Sequence, residues 1–178
     1  MTNTEEPASI AAPTATQLLY KQKLIRILQG AYSGELAAAY AYEGHWKASK
    51  KQEERETIAR IEREEWHHRS LVGDMLTNLG AGPDPLQERK RNRIGKTLRA
   101  LCKVSGWFMP MYAAGRLESY NVVEYEDAAN YARLGGYGQF APSLIQMADV
   151  EREHERYFRL KVESHFLRHI FPKWKIPQ

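Results

Sequence analysis

Glu65-Trp66-His67-His68 and Glu151-Arg152-Glu153-His154 are the two stretches on which the reading of this chain turns. Each is a Glu-x-x-His motif. On a helix, residues i and i+3 share a face, so one carboxylate and one imidazole can reach the same point. With 18 Glu and six His in 178 residues, chance gives about 0.6 such spacings, and three occur, counting Glu64 with His67. The spacing alone is a modest signal, and its surroundings decide. Glu65 and His68 fall on the apolar stripe Ile58, Ile61, Val72 and Met75, while Glu151 and His154 lie with Leu144, Met147, Tyr157 and Phe158. A carboxylate on such a stripe is costly to bury unless something cationic pairs with it. Glu64 and His67 are offset from the stripe and read as surface-facing.

Two further glutamates extend the pattern. Glu35 shares a stripe with Leu24, Leu28, Tyr32, Ala39 and Tyr42 on a helix predicted from about Thr16 to Lys47. Glu118 lies with Met111, Ala114, Val122 and Tyr125 on a third core helix ending near Leu134. The helix carrying Glu65 is predicted over about Gln52–Leu79 with Gly80 as its stop, and that carrying Glu151 over about Pro142–Ile170, ahead of Pro172. Ligands on two antiparallel helices stand at one height only if they lie equally far from the turn. Glu35 and Glu65 have their midpoint at residue 50, in a polar stretch, and Glu118 and Glu151 have theirs between Leu134 and Gly135. Each is then roughly 20–24 Å from its turn at 1.5 Å per residue.

The chain therefore reads as a duplicated hairpin, with 30 residues from Glu35 to Glu65 and 33 from Glu118 to Glu151. The 53 residues between Glu65 and Glu118 suit a crossover through an amphipathic basic segment at about Leu86–Lys103. The expected fold is all-α. It is a ferritin-like four-helix bundle with one long crossover and an extra amphipathic helix between core helices 2 and 3.

Four carboxylates and two imidazoles (Glu35, Glu65, His68, Glu118, Glu151 and His154) make a hard, oxygen-rich dinuclear site. Two histidines argue against Mg²⁺ or Ca²⁺, and no thiolate is offered to a soft metal. Two iron ions fit best, with manganese or zinc as substitutes. Glu124 is the reserve ligand should Glu118 fail, and Tyr32, Tyr120, Tyr125 and Asp149 are candidates for tuning the site. Glu43, Glu62 and Glu153 read as solvated or outer groups, and His165 and His169 as surface or membrane-facing groups.

Composition bounds the rest. At 178 residues and 20.6 kDa, the chain is one domain, placed at 15–171 between a disordered tail, 1–14, and a C-terminal tail, 172–178. Val104–Gly115 is a nearly uncharged run of 12 residues, and no uncharged run in the chain reaches the roughly 20 residues of a bilayer-spanning helix. The single cysteine, Cys102, excludes an internal disulfide framework. The first 15 residues resemble neither a secretory signal nor a presequence, so the expectation is a soluble, cytoplasmic protein. The net charge of +4 is uneven, since Arg89, Lys90, Arg91, Arg93, Lys96, Arg99 and Lys103 fall within 15 residues. That block reads as a solvated helix face rather than a nucleic-acid site. The aromatics of Trp107–Tyr112 and of the Phe166–Trp174 segment, set among cations, suit either peripheral contact at the inner face of a membrane or packing over the bundle end.

Over about Lys23 to Phe158 the sequence resembles the demethoxyubiquinone hydroxylase branch of the ferritin-like superfamily. The resemblance rests on Lys23-Leu-Ile-Arg26 leading to Gly34-Glu35, on Glu65-x-x-His68, on Glu118 and on Glu151-x-x-His154. It departs from that family where Leu36-Ala37 follows Glu35 in place of Tyr-Gly, and where Glu155-Arg156 follows His154 in place of His-Asp. The resemblance implies a di-iron monooxygenase that activates O2 with electrons from NADH or a reductase and hydroxylates a quinone-type ring. A homo-oligomer is also expected. The rivals are a rubrerythrin-like peroxidase or ferroxidase, a tRNA-modifying di-iron hydroxylase, and a helical interaction module without catalysis.

Overall fold

The computed structural model describes residues 12–175, and every described element is helical. The proposed N-terminal tail lies almost wholly outside the described residues. Five α-helices follow in order: α1 (Ala15–Ala48), α2 (Gln52–Asn78), α3 (Pro85–Leu101), α4 (Phe108–Leu134) and α5 (Ala141–Glu163). Helices α1 and α2 pack as one hairpin and α4 and α5 as another, with α4 also lying on α1, and α3 covers the outer side of α1.

Local chemistry sets the ends. Thr14 caps α1, its hydroxyl accepting from Gln17 N at 3.2 Å while the Gln17 amide oxygen accepts from Thr14 N at 2.8 Å. Asp84 caps α3 by accepting from Leu86 N at 2.8 Å, with Pro85 in the first turn. The second hairpin turns through Gly136 at φ +84°, a left-handed conformation suited to glycine.

The core lies in two clusters. One is built around Leu24, Leu28, Leu76, Tyr125 and Leu144, the other around Tyr42, Ile58, Ile61, Met111 and Phe158. Between them in sequence, on all four long helices, sit the buried acids and imidazoles. Helix α3 makes contact at backbone distance: a Cβ on Gly44 would fall 2.4 Å from Arg99 O, and one on Gly95 would fall 2.8 Å from Ala37 Cα.

The last helix differs from expectation. It ends at Glu163, not near Ile170, and a short 3-10 turn, Phe166–His169, follows. His165 is extended and its ring nitrogen accepts from Leu167 N at 3.2 Å, which starts the turn. The turn brings the chain back onto α4, where Phe171 packs on Phe108 and Tyr112 with ring centroids 5.2 Å apart. Trp174 donates to Glu155 Oε1 at 2.8 Å. A longer helix would leave these aromatics in water. Pro172–Lys175 thus lie against the bundle, and Trp107, Phe108 and Tyr112 close its end with them, while Phe166 and Ile170 remain 74% and 73% exposed.

His45 is buried in the second cluster, stacked on Phe158 with an unpartnered Nε2. Burial pulls it from 6.5 to about 4. The folded state keeps it neutral where the unfolded chain would charge it, so this contribution is complete above pH 6.5 and lost as pH falls toward 4. The full loss is roughly 3 kcal/mol at 1.36 kcal/mol per unit. His45→Leu should remove it: in urea unfolding at pH 7 and pH 4, wild type should lose more stability than the variant by about that amount. Equal losses would show that His45 carries no such linkage.

Candidate metal centre

Helices α1, α2, α4 and α5 each present one glutamate inward at the same level, and α2 and α5 add His68 and His154 one turn further on. All six predicted residues are buried. They form two groups, Glu35–Glu65–His68–Glu151 and Glu65–Glu118–Glu151–His154, each with one ligand atom per residue lying within 4.8 Å of the others. Glu65 and Glu151 belong to both.

The geometry within the cluster is specific. Glu151 accepts from both rings, with Oε1 2.9 Å from His68 Nδ1 and Oε2 3.1 Å from His154 Nδ1. His154 Nδ1 also lies 3.4 Å from Glu65 Oε1, and His68 Nδ1 lies 4.0 Å from Glu35 Oε1. Tyr125 donates to Glu35 and Tyr42 donates to Glu118, while Asn121 Nδ2 reaches the other Glu118 oxygen at 2.8 Å.

Burial dominates the electrostatics. It pushes Glu35 well above the usual carboxylate range, and the charges of Glu65 and Glu151 push it further. Glu118 rises for the same reason, with Glu151 beside it. Burial would raise Glu151 too, but the two imidazole hydrogen bonds outweigh it and hold this carboxyl at about 2. Burial also opposes charge on His154, yet Glu151 and Glu64 together raise it well above 6.5.

The donor set is compatible with a metal site. Both oxygens of Glu65 and Glu35 Oε2 are buried without a hydrogen-bond partner, and such atoms are costly unless something positive meets them. Once ionised, four carboxylates outweigh two imidazoles in charge, and the donors are oxygen and nitrogen without sulfur. The described residues therefore hold a buried Glu/His cluster within metal-binding distance.

Around the six, the structure revises the sequence reading. Glu64 is not simply surface-facing: its Oε2 meets His154 Nε2 at 2.8 Å and its carboxylate binds Arg60 Nη1 at 2.7 Å. The i+4 spacing to Arg60 was visible in the sequence, but the reach across to α5 was not. Tyr125 touches the cluster as expected. The other tuning candidates do not: Tyr32 stacks under Arg69, Tyr120 is 60% exposed, and Asp149 pairs with Arg152. By periodicity Tyr42 belongs to an apolar stripe, and nothing in the spacing marks Asn121. His165 stacks on Trp107 and Phe108. Glu43 bridges Lys47 and Arg99, Glu62 accepts from Trp46, and Glu153 is exposed. Glu124, the reserve ligand, belongs to neither group.

Comparison with protein-family models, curated proteins and solved structures finds no match to this chain. No described helix is long and apolar enough to cross a membrane.

Proposed function

We propose that Glu35, Glu65, His68, Glu118, Glu151 and His154 hold two iron ions, and that the chain is an O2-activating oxidoreductase on a ferritin-like bundle. Its reaction is hydroxylation of a quinone-type aromatic ring, with NADH or a reductase as the electron source. The observation that carries the reading is the sharing of Glu65 and Glu151 by two otherwise separate ligand groups, which is the arrangement two adjacent cations need.

Bound iron would supply two-electron chemistry toward O2 that side chains lack. The chain's own part is to position and to move protons. Glu64, joined to Arg60, orients the His154 ring through Nε2 and leaves Nδ1 facing Glu65 and Glu151. Tyr125 and Tyr42 place hydroxyl protons on Glu35 and Glu118, one on each side of the cluster. The aromatic closure of the bundle end packs over the cluster of Tyr42, Ile58, Ile61, Met111 and Phe158. Exposed Phe166 and Ile170 beside Arg168 offer a peripheral membrane contact for a cytoplasmic enzyme that draws on a lipid-dissolved substrate.

Anaerobic loading with Fe²⁺, followed by iron analysis and optical spectra on addition of O2, tests this reading. About two irons per chain and an absorption band that grows only with O2 are expected, with turnover of a short-tail quinol. No iron, or one unreactive ion, overturns it. Peroxide consumption without quinol turnover assigns a peroxidase instead.

A further inference from the structure

Resting on the metal reading above, we propose that a cavity between α1, α3 and α4 receives the reacting group of the substrate. It takes a single six-membered ring bearing an oxygen substituent and excludes fused rings. The cavity holds about 160 Å³. An engineered apolar cavity of roughly 150 Å³ stays dry and takes up benzene, so the volume matches one ring.

Its inner end is the metal cluster. Glu35 lines it, and the buried Glu35 Oε2 has no partner. Asn121, which donates to Glu118, stands beside it. A molecule filling the cavity therefore abuts Glu35 of one ligand group and is separated from Glu118 of the other by Asn121. The walls are apolar, with Ala31 and Ala38 on α1, Ile94 and Leu98 on α3, and Leu117 on α4.

Gly34 shows that the space is not a by-product of close helix packing. Gly44 and Gly95 are small because a Cβ there would strike the backbone of a facing helix. A Cβ on Gly34 would meet nothing within 4 Å, so nothing in the fold requires glycine at this lining position.

Two polar groups break the apolar wall. Glu124 lies over Gly30, where an added Cβ would come within 3.3 Å of its Oε1. Arg91, exposed on α3, stands at the outer side. Between them they can bind an oxygen on the ring, the carboxyl from within and the guanidinium from the mouth. A bare hydrocarbon would gain nothing from either. A fused second ring adds four carbons to a cavity already filled by one.

The test uses the full chain loaded with redox-inert Zn²⁺, and 4-methylphenol and 1-naphthol as probes followed by calorimetry and ligand-observed NMR. Saturable binding of 4-methylphenol is expected, at least tenfold tighter than that of 1-naphthol. Gly34→Leu should weaken it tenfold or more with zinc content and helicity unchanged. Gly34→Ala, a favourable helix substitution, should give a smaller loss in the same direction should the leucine not fold. Wild-type affinity in Gly34→Leu, no saturable binding to a chain carrying two zinc ions, or equal binding of 1-naphthol overturns the pocket. Ring binding that depends on Gly34 in a chain that takes up no zinc supports the pocket and rejects the metal reading.

Discussion

Glu65→Ala and Glu151→Ala chains should each emerge from loading with Fe²⁺ or Zn²⁺ carrying essentially no metal, whereas Glu35→Ala and Glu118→Ala should each keep about one ion of two. The asymmetry follows from membership. Glu65 and Glu151 stand in both ligand groups, while Glu35 and Glu118 stand in one each. Removing a shared carboxylate takes a donor from both positions and also removes the charge that holds two cations side by side. Glu64→Gln should be milder than either class, weakening one ion by about 10–100-fold, the usual cost of losing the carboxylate behind a ligating imidazole. Elemental analysis after gel filtration reads all five. Circular dichroism guards against a trivial cause, since losing one of four crowded acids should not unfold the metal-free chain. Equal retention in all variants would mean that metal binds elsewhere.

Removing metal should lower the melting temperature by roughly 15–30 °C. Two sites saturated at a thousandfold excess over Kd contribute about 4 kcal/mol each, and a domain of this size shifts roughly 2–4 °C per kcal/mol. The gap should widen with pH. In the metal-free chain Glu35 and Glu118 are held above their ordinary range by burial, so the stability they retain when protonated is complete below about pH 4.5 and lost as pH rises through their folded values. His154, raised by Glu151 and Glu64, acts in the same direction above pH 6.5. Glu151 opposes them where pH falls from 4.5 toward about 2, and His45 where it falls from 6.5 toward about 4. Between pH 6.5 and 8 the metal-free protein should therefore melt earlier as pH rises, while the loaded protein gains because its ligands no longer compete with protons. Scanning calorimetry of both forms at pH 6.5 and 8 checks the sign. A metal-free protein that becomes more stable across that range would contradict it.

The helices and the six inward residues were legible because helical periodicity assigns a face, and equal distance from a turn assigns a height. Both are local properties of one strand of sequence. What they leave open is which residue on a neighbouring helix completes a contact. Tyr42 lies on an apolar stripe by periodicity, yet its hydroxyl donates to Glu118 across 76 positions of chain. Glu64 sits one position from the stripe, and its side chain is long enough to reach inward from the edge. Tyr120 and Asp149 lie two positions from Glu118 and Glu151 in sequence, which on a helix is no guarantee of a shared side. The end of α5 is not legible in the sequence because nothing in the 3.6-residue period marks where aromatics gain more by folding back than by continuing outward.

The backbone contact of α3 with α1 at Gly44 and Gly95 has a consequence for how this protein can diversify. Because main chain meets main chain there, the spacing between the two helices is set by atoms common to every amino acid. Side chains elsewhere on α3 can change without resetting it. Helix α3 is thus an interchangeable faceplate: Arg91, Ile94 and Leu98 can be exchanged to admit a different molecule, while the acids behind them keep their positions.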